Sequence, residues 1–306
     1  MELYKYLSPT GIEVLENNLI RFSRPNDFND PFESLPYISS VLDKEIADDF
    51  YKEHIETHLN NIKDEKIIKF LPKEDYDRIP PEHLELLSNI SFEQAKDLID
   101  SKDIFKTAFT QYPDTVERSI SHVIKEKWDK IFVILCLSEK NDNLIMWSHY
   151  CQNHKGFVLG LKSESAFFDQ RRSEKDPIRF LRKVQYKEER PQMTLFDPRM
   201  SDQEYGDYIL DNTLLTKSIH WSTENEWRIV FNLKDADRIK EEGNTTMYLF
   251  NFPIEIVSSV YLGVCIDATL KEKIIRIIKD SGNPIPIYQG RLHLKKYLLD
   301  FNEIKY

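Results

Sequence analysis

The chain has 306 residues, a formal net charge of −10, 41% hydrophobic and 12% aromatic content, enough apolar matter to bury a sizeable core. The acidic balance argues against a protein that coats nucleic acid non-specifically and leaves only a local basic groove for such a role. With eight glycines and no GxGxxG, GxxxxGK[ST] or HExxH, the common phosphate-cradling loops and the zincin signature are excluded.

Cys136, Cys151 and Cys265 are odd in number, widely spaced and form no CxxC, which points to buried thiols in a reducing compartment. A basic start followed by an apolar stretch is absent, as is any run of about 18 apolar residues. A cytoplasmic protein with no membrane partner is therefore expected.

In chain order, Leu3 to Leu7 alternates as a strand, and Ser8-Pro9-Thr10 starts a short helix that turns Ile12 and Leu15 inward. Asn17-Asn18 ends it, and Leu19 to Phe22 reads as a second strand. The following segment, SRPNDFNDPFE at 23–33, mixes turn-forming residues with two phenylalanines, so it reads as a rigid loop with buried anchors. Such a loop would hold Arg24, Asn29 and Asp30 ready for a ligand.

From about 41 to 130 glycine disappears and Lys, Glu, Ile and Leu dominate. Helices are expected near Lys44–Leu59, Pro81–Leu87, Phe92–Asp100 and Thr115–Trp128, forming a helical insertion in a single α+β domain. His54 and His58 share a helical spacing but have no further metal ligand at a diagnostic distance.

Ile131 to Leu137 is an apolar run suited to a central strand covered on both faces. A polar turn, a helix from Leu144 to Cys151 and a strand from Phe157 to Leu161 follow. Between them lie Trp147, Ser148, His149, Tyr150 and His154, which offer stacking surfaces and hydrogen-bonding groups. A short helix at Ser163–Gln170, a strand at Ile178–Tyr186, a surface connection at Lys187–Arg199 and a helix at Met200–Lys217 come next. Strands at Thr246–Phe250, Ile254–Leu262 and Pro284–Tyr288, with a helix over Ala268–Lys279, complete the pattern.

The segment WSTENEWRIVF at 221–231 carries the most specific chemistry. On a strand, Glu224 and Glu226 would share one face. Paired carboxylates repel, so one should resist ionisation unless a cation such as Arg228 or His220 intervenes. Trp221 and Arg228 flank the pair.

Two resemblances follow from these residues. KYLS at 5–8, RFSRPNDFNDPFE at 21–33, CLS at 136–138, MWSHYCQNHKGFVLGL at 146–161 and WSTENEWR at 221–228 together resemble a widespread prokaryotic family described only as a domain of unknown function. Its members occur near phage-defence and toxin-like genes. The order of Lys5 or Tyr6, the helix Thr10–Asn17, Phe22-Ser23 or Ser148 to Tyr150, and finally Glu226 is similar to that of the ADP-ribosyltransferase superfamily. The ExE spelling resembles the pair in members that modify arginine, although no histidine or arginine stands in the first strand here.

The second resemblance implies a mainly antiparallel split sheet and NAD as substrate. It also implies Glu226 beside the ribose, Glu224 acting on the acceptor, Trp147, Tyr150 or Trp221 stacking on a ring, and Arg24 on the pyrophosphate. Tyr6, Ser23, Asn29, Asp30, Ser148, His149, His154 and Arg228 would line the site, and the acceptor would be protein, nucleic acid or water. No metal is expected, and the insertion would dock a partner protein. The alternatives are a non-catalytic sensor of a nucleotide or phage component, and a metal-dependent nuclease built on Asp27, Asp30, Glu224 and Glu226.

Overall fold

The computed structural model describes residues 1–42, 66, 68, 81–89, 91, 113–197, 199–243 and 245–305. The expected helices at Lys44–Leu59 and Phe92–Asp100, and the His54/His58 pair, lie outside the described residues. The fold is α+β, and the chain divides into two compact units, one of residues 1–29, 129–188 and 215–306, the other of 30–128 and 189–214.

The first unit is built on an eight-stranded sheet. Its strands are β1 (Glu2–Leu7), β4 (Phe132–Ser138), β5 (Phe157–Lys162), β6 (Leu181–Lys183), β10 (Glu226–Asn232), β13 (Val257–Leu262), β14 (Ile287–Leu292) and β15 (Leu299–Ile304). Their order is β15-β14-β13-β5-β1-β4-β10-β6. Every neighbouring pair is antiparallel except β13 and β14, which are linked through the helix Ala268–Asp280; parallel neighbours need such a crossover.

The apolar run expected as a central strand is β4, which lies between β1 and β10 with Val133, Ile134, Leu135 and Leu137 buried. One face of the sheet packs on Ile12, Val14 and Leu15 of the short helix after β1, on Ile274 and Ile278 of the helix Ala268–Asp280, and on a cluster that includes Phe22, Phe231 and Phe250. The same unit carries the three-stranded sheet β11 (Arg238–Glu242), β12 (Thr245–Asn251) and β2 (Leu19–Phe22). A parallel pair of β7 (Gln185–Lys187) and β9 (Thr216–Ser218) is also present.

Among its described residues the second unit contains a parallel pair, β3 (Tyr37–Leu42) with β8 (Gln192–Phe196), and the helices Pro81–Asn89, Pro113–Asp129 and Asp202–Thr213. Ile38, Met193 and Ile209 form its buried cluster with Ile120, Ile124 and Trp128 packed against them. The segment Lys187–Arg199, expected as a surface connection, is thus partly a strand whose Met193 is fully buried. Its charged and proline-rich flanks hid one short apolar alternation. This unit also reaches beyond the insertion expected at 41–130, because 189–214 joins it.

Candidate functional site

The β4–β10 register pairs Glu226 with Ser138, so the first residue of β10 meets the last of β4. Before β10 the chain is not extended. Residues Ile219–Glu224 form a 3-10 helix, and Asn225 follows in the left-handed region with φ 46°. The expectation that Glu224 and Glu226 share a strand face is corrected by this turn, since only Glu226 belongs to the strand.

The two carboxylates still converge, because each reaches the same ammonium. Lys217 Nζ donates to Glu224 Oε2 at 2.6 Å and to Glu226 Oε2 at 3.1 Å. Lys217 comes from β9, in register with Tyr186 of β7, and the Trp221 ring lies 4.8 Å from its Nζ. Arg228, fully buried, donates from Nε to Glu226 Oε1 at 2.8 Å and from a terminal nitrogen to Glu226 Oε2 at 3.1 Å. The guanidinium also stacks 5.3 Å from the ring of Phe28.

The remaining partners close the cluster. Tyr150 donates its hydroxyl to Glu224 Oε1 at 2.7 Å. The Glu226 amide donates to the Tyr186 hydroxyl at 2.8 Å, and Ser138 Oγ donates to the Glu224 carbonyl at 2.6 Å. Burial opposes the charge on Glu226, but Arg228 and Lys217 outweigh it and bring its pKa down to about 2. Desolvation moves the neighbouring groups the other way. It raises Tyr186 to about 12 and also pushes up Tyr150 and Cys136, with the carboxylates nearby adding to the effect on the last two. The Lys5 ammonium rests on the Cys136 carbonyl at 3.1 Å and is lowered by desolvation.

Glu224, Glu226, Arg228, Tyr150 and Trp221 are therefore brought together. His149 is exposed at their margin, its ring in edge contact with Tyr150 at 6.3 Å and Trp221 at 6.5 Å. The other candidate residues are engaged elsewhere. Tyr6 donates its hydroxyl to the Lys140 carbonyl at 2.8 Å. Trp147 is fully buried, donates to the Asn141 carbonyl at 2.7 Å, and stacks flat on His154. His154 closes a run of three left-handed residues, with φ 49°, 56° and 63° at 152–154, and its carbonyl accepts the Cys265 amide.

Ser148 donates to Asn153 at 3.3 Å, and Ser23 bridges its backbone to Ile134. Arg24 faces Asp27 and Asp129 at 3.6 and 3.5 Å. Asp27 also pairs with Arg21 at 2.9 Å. Asn29 is exposed, and Asp30 belongs to the second unit, where its carboxylate accepts the Phe32 amide at 2.9 Å. Of the two expected anchors in this loop, Phe28 is half-buried, but Phe32 is 58% exposed.

Lys217, Tyr186 and Ser138 belong to the site without having been expected there, and Phe28 and Cys136, expected only as a loop anchor and a buried thiol, also border it. The helix expected to run to Lys217 ends at Thr213, and β-branched Thr216 opens a strand instead. Among the described residues no group of three or more His, Cys, Asp or Glu is arranged to hold a metal, and no helix is long and apolar enough to cross a membrane. A separate cavity of about 430 Å³ lies at the Phe231 end of β10, lined by Phe167, Arg179, Asp235 and Phe250 among others, and none of the site residues lines it.

Residues 146–229 match a family described as a protein of unknown function, DUF2971. The match runs from the helix Leu144–Tyr150 into β10 and so spans Tyr150, Lys217, Glu224, Glu226 and Arg228, whereas the loop at 23–33 falls outside it. The chain matches no curated protein and no solved structure.

Proposed function

We propose that the protein is a phage-defence or toxin-type effector with ADP-ribosyltransferase-like chemistry, which cleaves NAD at the Glu224–Lys217–Glu226 centre and passes ADP-ribose to a macromolecule or to water. The observation that carries this reading is the bond from the half-buried Tyr150 hydroxyl to Glu224 Oε1 at 2.7 Å, beside exposed His149. Glu224 is thereby tied to a half-buried residue beside the exposed margin of the site, while Glu226 is held by Arg228 and Lys217. The two roles implied by the ADP-ribosyltransferase resemblance are therefore exchanged. Glu224 is the ribose-facing carboxylate, and Glu226 positions the cations around it.

In the proposed reaction the bond between ribose C1′ and the nicotinamide nitrogen breaks, and its electron pair leaves with nicotinamide. Positive charge develops on the ribose, which the Glu224 carboxylate stabilises until the acceptor or water attacks C1′ and gives up its proton. Trp221 supplies a ring face for stacking.

Nicotinamide release from NAD by the purified protein tests the reading. Glu224→Gln is expected to reduce release by about 100-fold or more, the effect of losing one transition-state contact. Absence of release by the wild type with every acceptor tried, or undiminished release by Glu224→Gln, overturns it. The two-toothed clamp of Arg228 on Glu226 favours a second reading, a nucleotide sensor without chemistry; it predicts thermal stabilisation by NAD with no nicotinamide formed.

A further inference from the structure

The turn between β14 and β15 presents a feature that the Glu224 centre does not use. Leu292, Leu294 and Tyr297 are 70%, 97% and 102% exposed. They stand among Arg291, Lys295 and Lys296, all exposed as well. From Arg291 to Leu299 there is no acidic residue, in a chain whose net charge is −10. Single exposed apolar residues are ordinary, but three large ones on one tip, ringed by cations, are not.

The tip is also internally tied. His293 Nδ1 accepts the Lys295 and Lys296 amides at 3.0 and 3.1 Å. The His293 amide donates to the Leu298 carbonyl at 3.1 Å, and the Leu298 amide to the Lys296 carbonyl at 2.9 Å. The imidazole thus holds the six-residue turn closed, and little further ordering is needed when it docks.

We infer that this hairpin tip is a membrane-surface anchor, in which Leu292, Leu294 and Tyr297 enter the interface of an anionic phospholipid bilayer while Arg291, Lys295 and Lys296 face the phosphates. Two aliphatic side chains gain little from a nucleic acid, whose single-strand sites rely on aromatic stacking. A stable protein interface needs about 800 Å² per partner, yet the apolar surface stops at the tip, since Asp300, Asn302 and Glu303 of the adjoining edge strand β15 are exposed and polar. A bilayer needs only shallow apolar insertion and local positive charge. The expectation of no membrane partner rested on the absence of a spanning segment, and peripheral binding is a different mode.

Co-sedimentation of the full chain with phosphatidylglycerol-containing vesicles tests the inference. Binding is expected to weaken at high salt, and to fall by about fivefold or more both in Leu294→Ser with Tyr297→Ser and in Lys295→Glu with Lys296→Glu. All four positions are exposed, so the melting temperature of each double variant should match the wild type. No binding by the wild type, undiminished binding by either double variant, or equal binding to pure phosphatidylcholine vesicles overturns the inference. Tip-dependent capture of a single-stranded nucleic acid or a protein, without vesicle binding, also overturns it.

Discussion

Lys217 is the residue on which the candidate site turns. Its ammonium is shared by two buried carboxylates, and with Arg228 it balances their charge within a buried cluster. Removing one partner from such a group leaves a buried charge uncompensated, which costs about 3–5 kcal/mol. Lys217→Met should lose stability of that order in urea denaturation, whereas an exposed lysine such as Lys155, changed the same way, should shift it by less than about 0.5 kcal/mol. Equal small losses at both positions would contradict the shared-ammonium arrangement.

At this scale the sequence was legible where residue type and chemistry coincide. The acid pair, Arg228, Tyr150 and Trp221 could be named from WSTENEWR and MWSHY. Trp147 and His154 carry the same kind of signal as Tyr150, but full burial of one and a left-handed backbone at the other turn them into supports for the chain after the helix. Side-chain type does not encode that difference, because for Trp147 it arises from which face of a seven-residue helix meets β1, and for His154 from the turn that follows that helix.

Among the elements, the helix Leu144–Tyr150 is tied to the site at its N-cap. Asn143 Oδ1 accepts the Ile145 and Met146 amides as an N-cap, and its side-chain Nδ2 donates to the Thr223 carbonyl at 2.7 Å, one residue before Glu224. Asn143→Ala should cost about 1–2 kcal/mol through the lost cap, and Asn143→Asp should retain the cap while losing the donor to Thr223. If the tie matters, the aspartate variant melts close to the wild type yet shows reduced nicotinamide release or NAD-induced stabilisation. Strand β5 is constrained by close packing at Gly160. A Cβ on Gly160 would collide with Ser259 Oγ and the Glu2 carboxylate, so Gly160→Ala should cost about 1–3 kcal/mol by overpacking, read from its denaturation midpoint.

Long periodic elements were legible: β1, β2, β4, β5, the core of β12 and the helix Ala268–Asp280 appear close to their expected bounds. Short strands defined by a distant partner were not. β8 exists because Met193 sits opposite Ile38, and β9 because Lys217 sits opposite Tyr186. A run of three to five residues can hint at a strand, as Thr216 does, but it does not name the strand's partner. The expected strand at Ile178–Tyr186 is split into β6 and β7, which join different sheets.

For the molecule as a whole, acid sensitivity should be concentrated in a few carboxylates. Glu226 ionises at about 2 when folded against an ordinary 4.5, so the stability it contributes is complete above pH 4.5 and is lost as the pH falls from 4.5 toward 2. Glu2, opposed by burial but held by Ser258, Ser259 and Tyr4, is lowered in the same direction. Asp176 follows it, opposed by burial but held by the backbone amides of Arg172 and Ile178 and by Arg179. The melting temperature should therefore fall over that acidic window. Glu226→Gln should start lower at neutral pH and fall less steeply; a slope parallel to the wild type would remove Glu226 from the account.

The position of β1 has a consequence for how the chain is made. Leu3 pairs with Leu161 on one side and Tyr4 with Ser138 on the other, so β1 leaves the ribosome long before either neighbour exists. At common synthesis rates of about 5–20 residues per second, it waits roughly 8 to 30 s for β5. During that interval Leu3 and Tyr6, both buried in the finished sheet, have no strand to pair with, and the sheet cannot close by adding strands in order of synthesis. Folding must be largely a late, collective event, and the nascent chain is a natural client for holdase chaperones until β4 and β5 arrive.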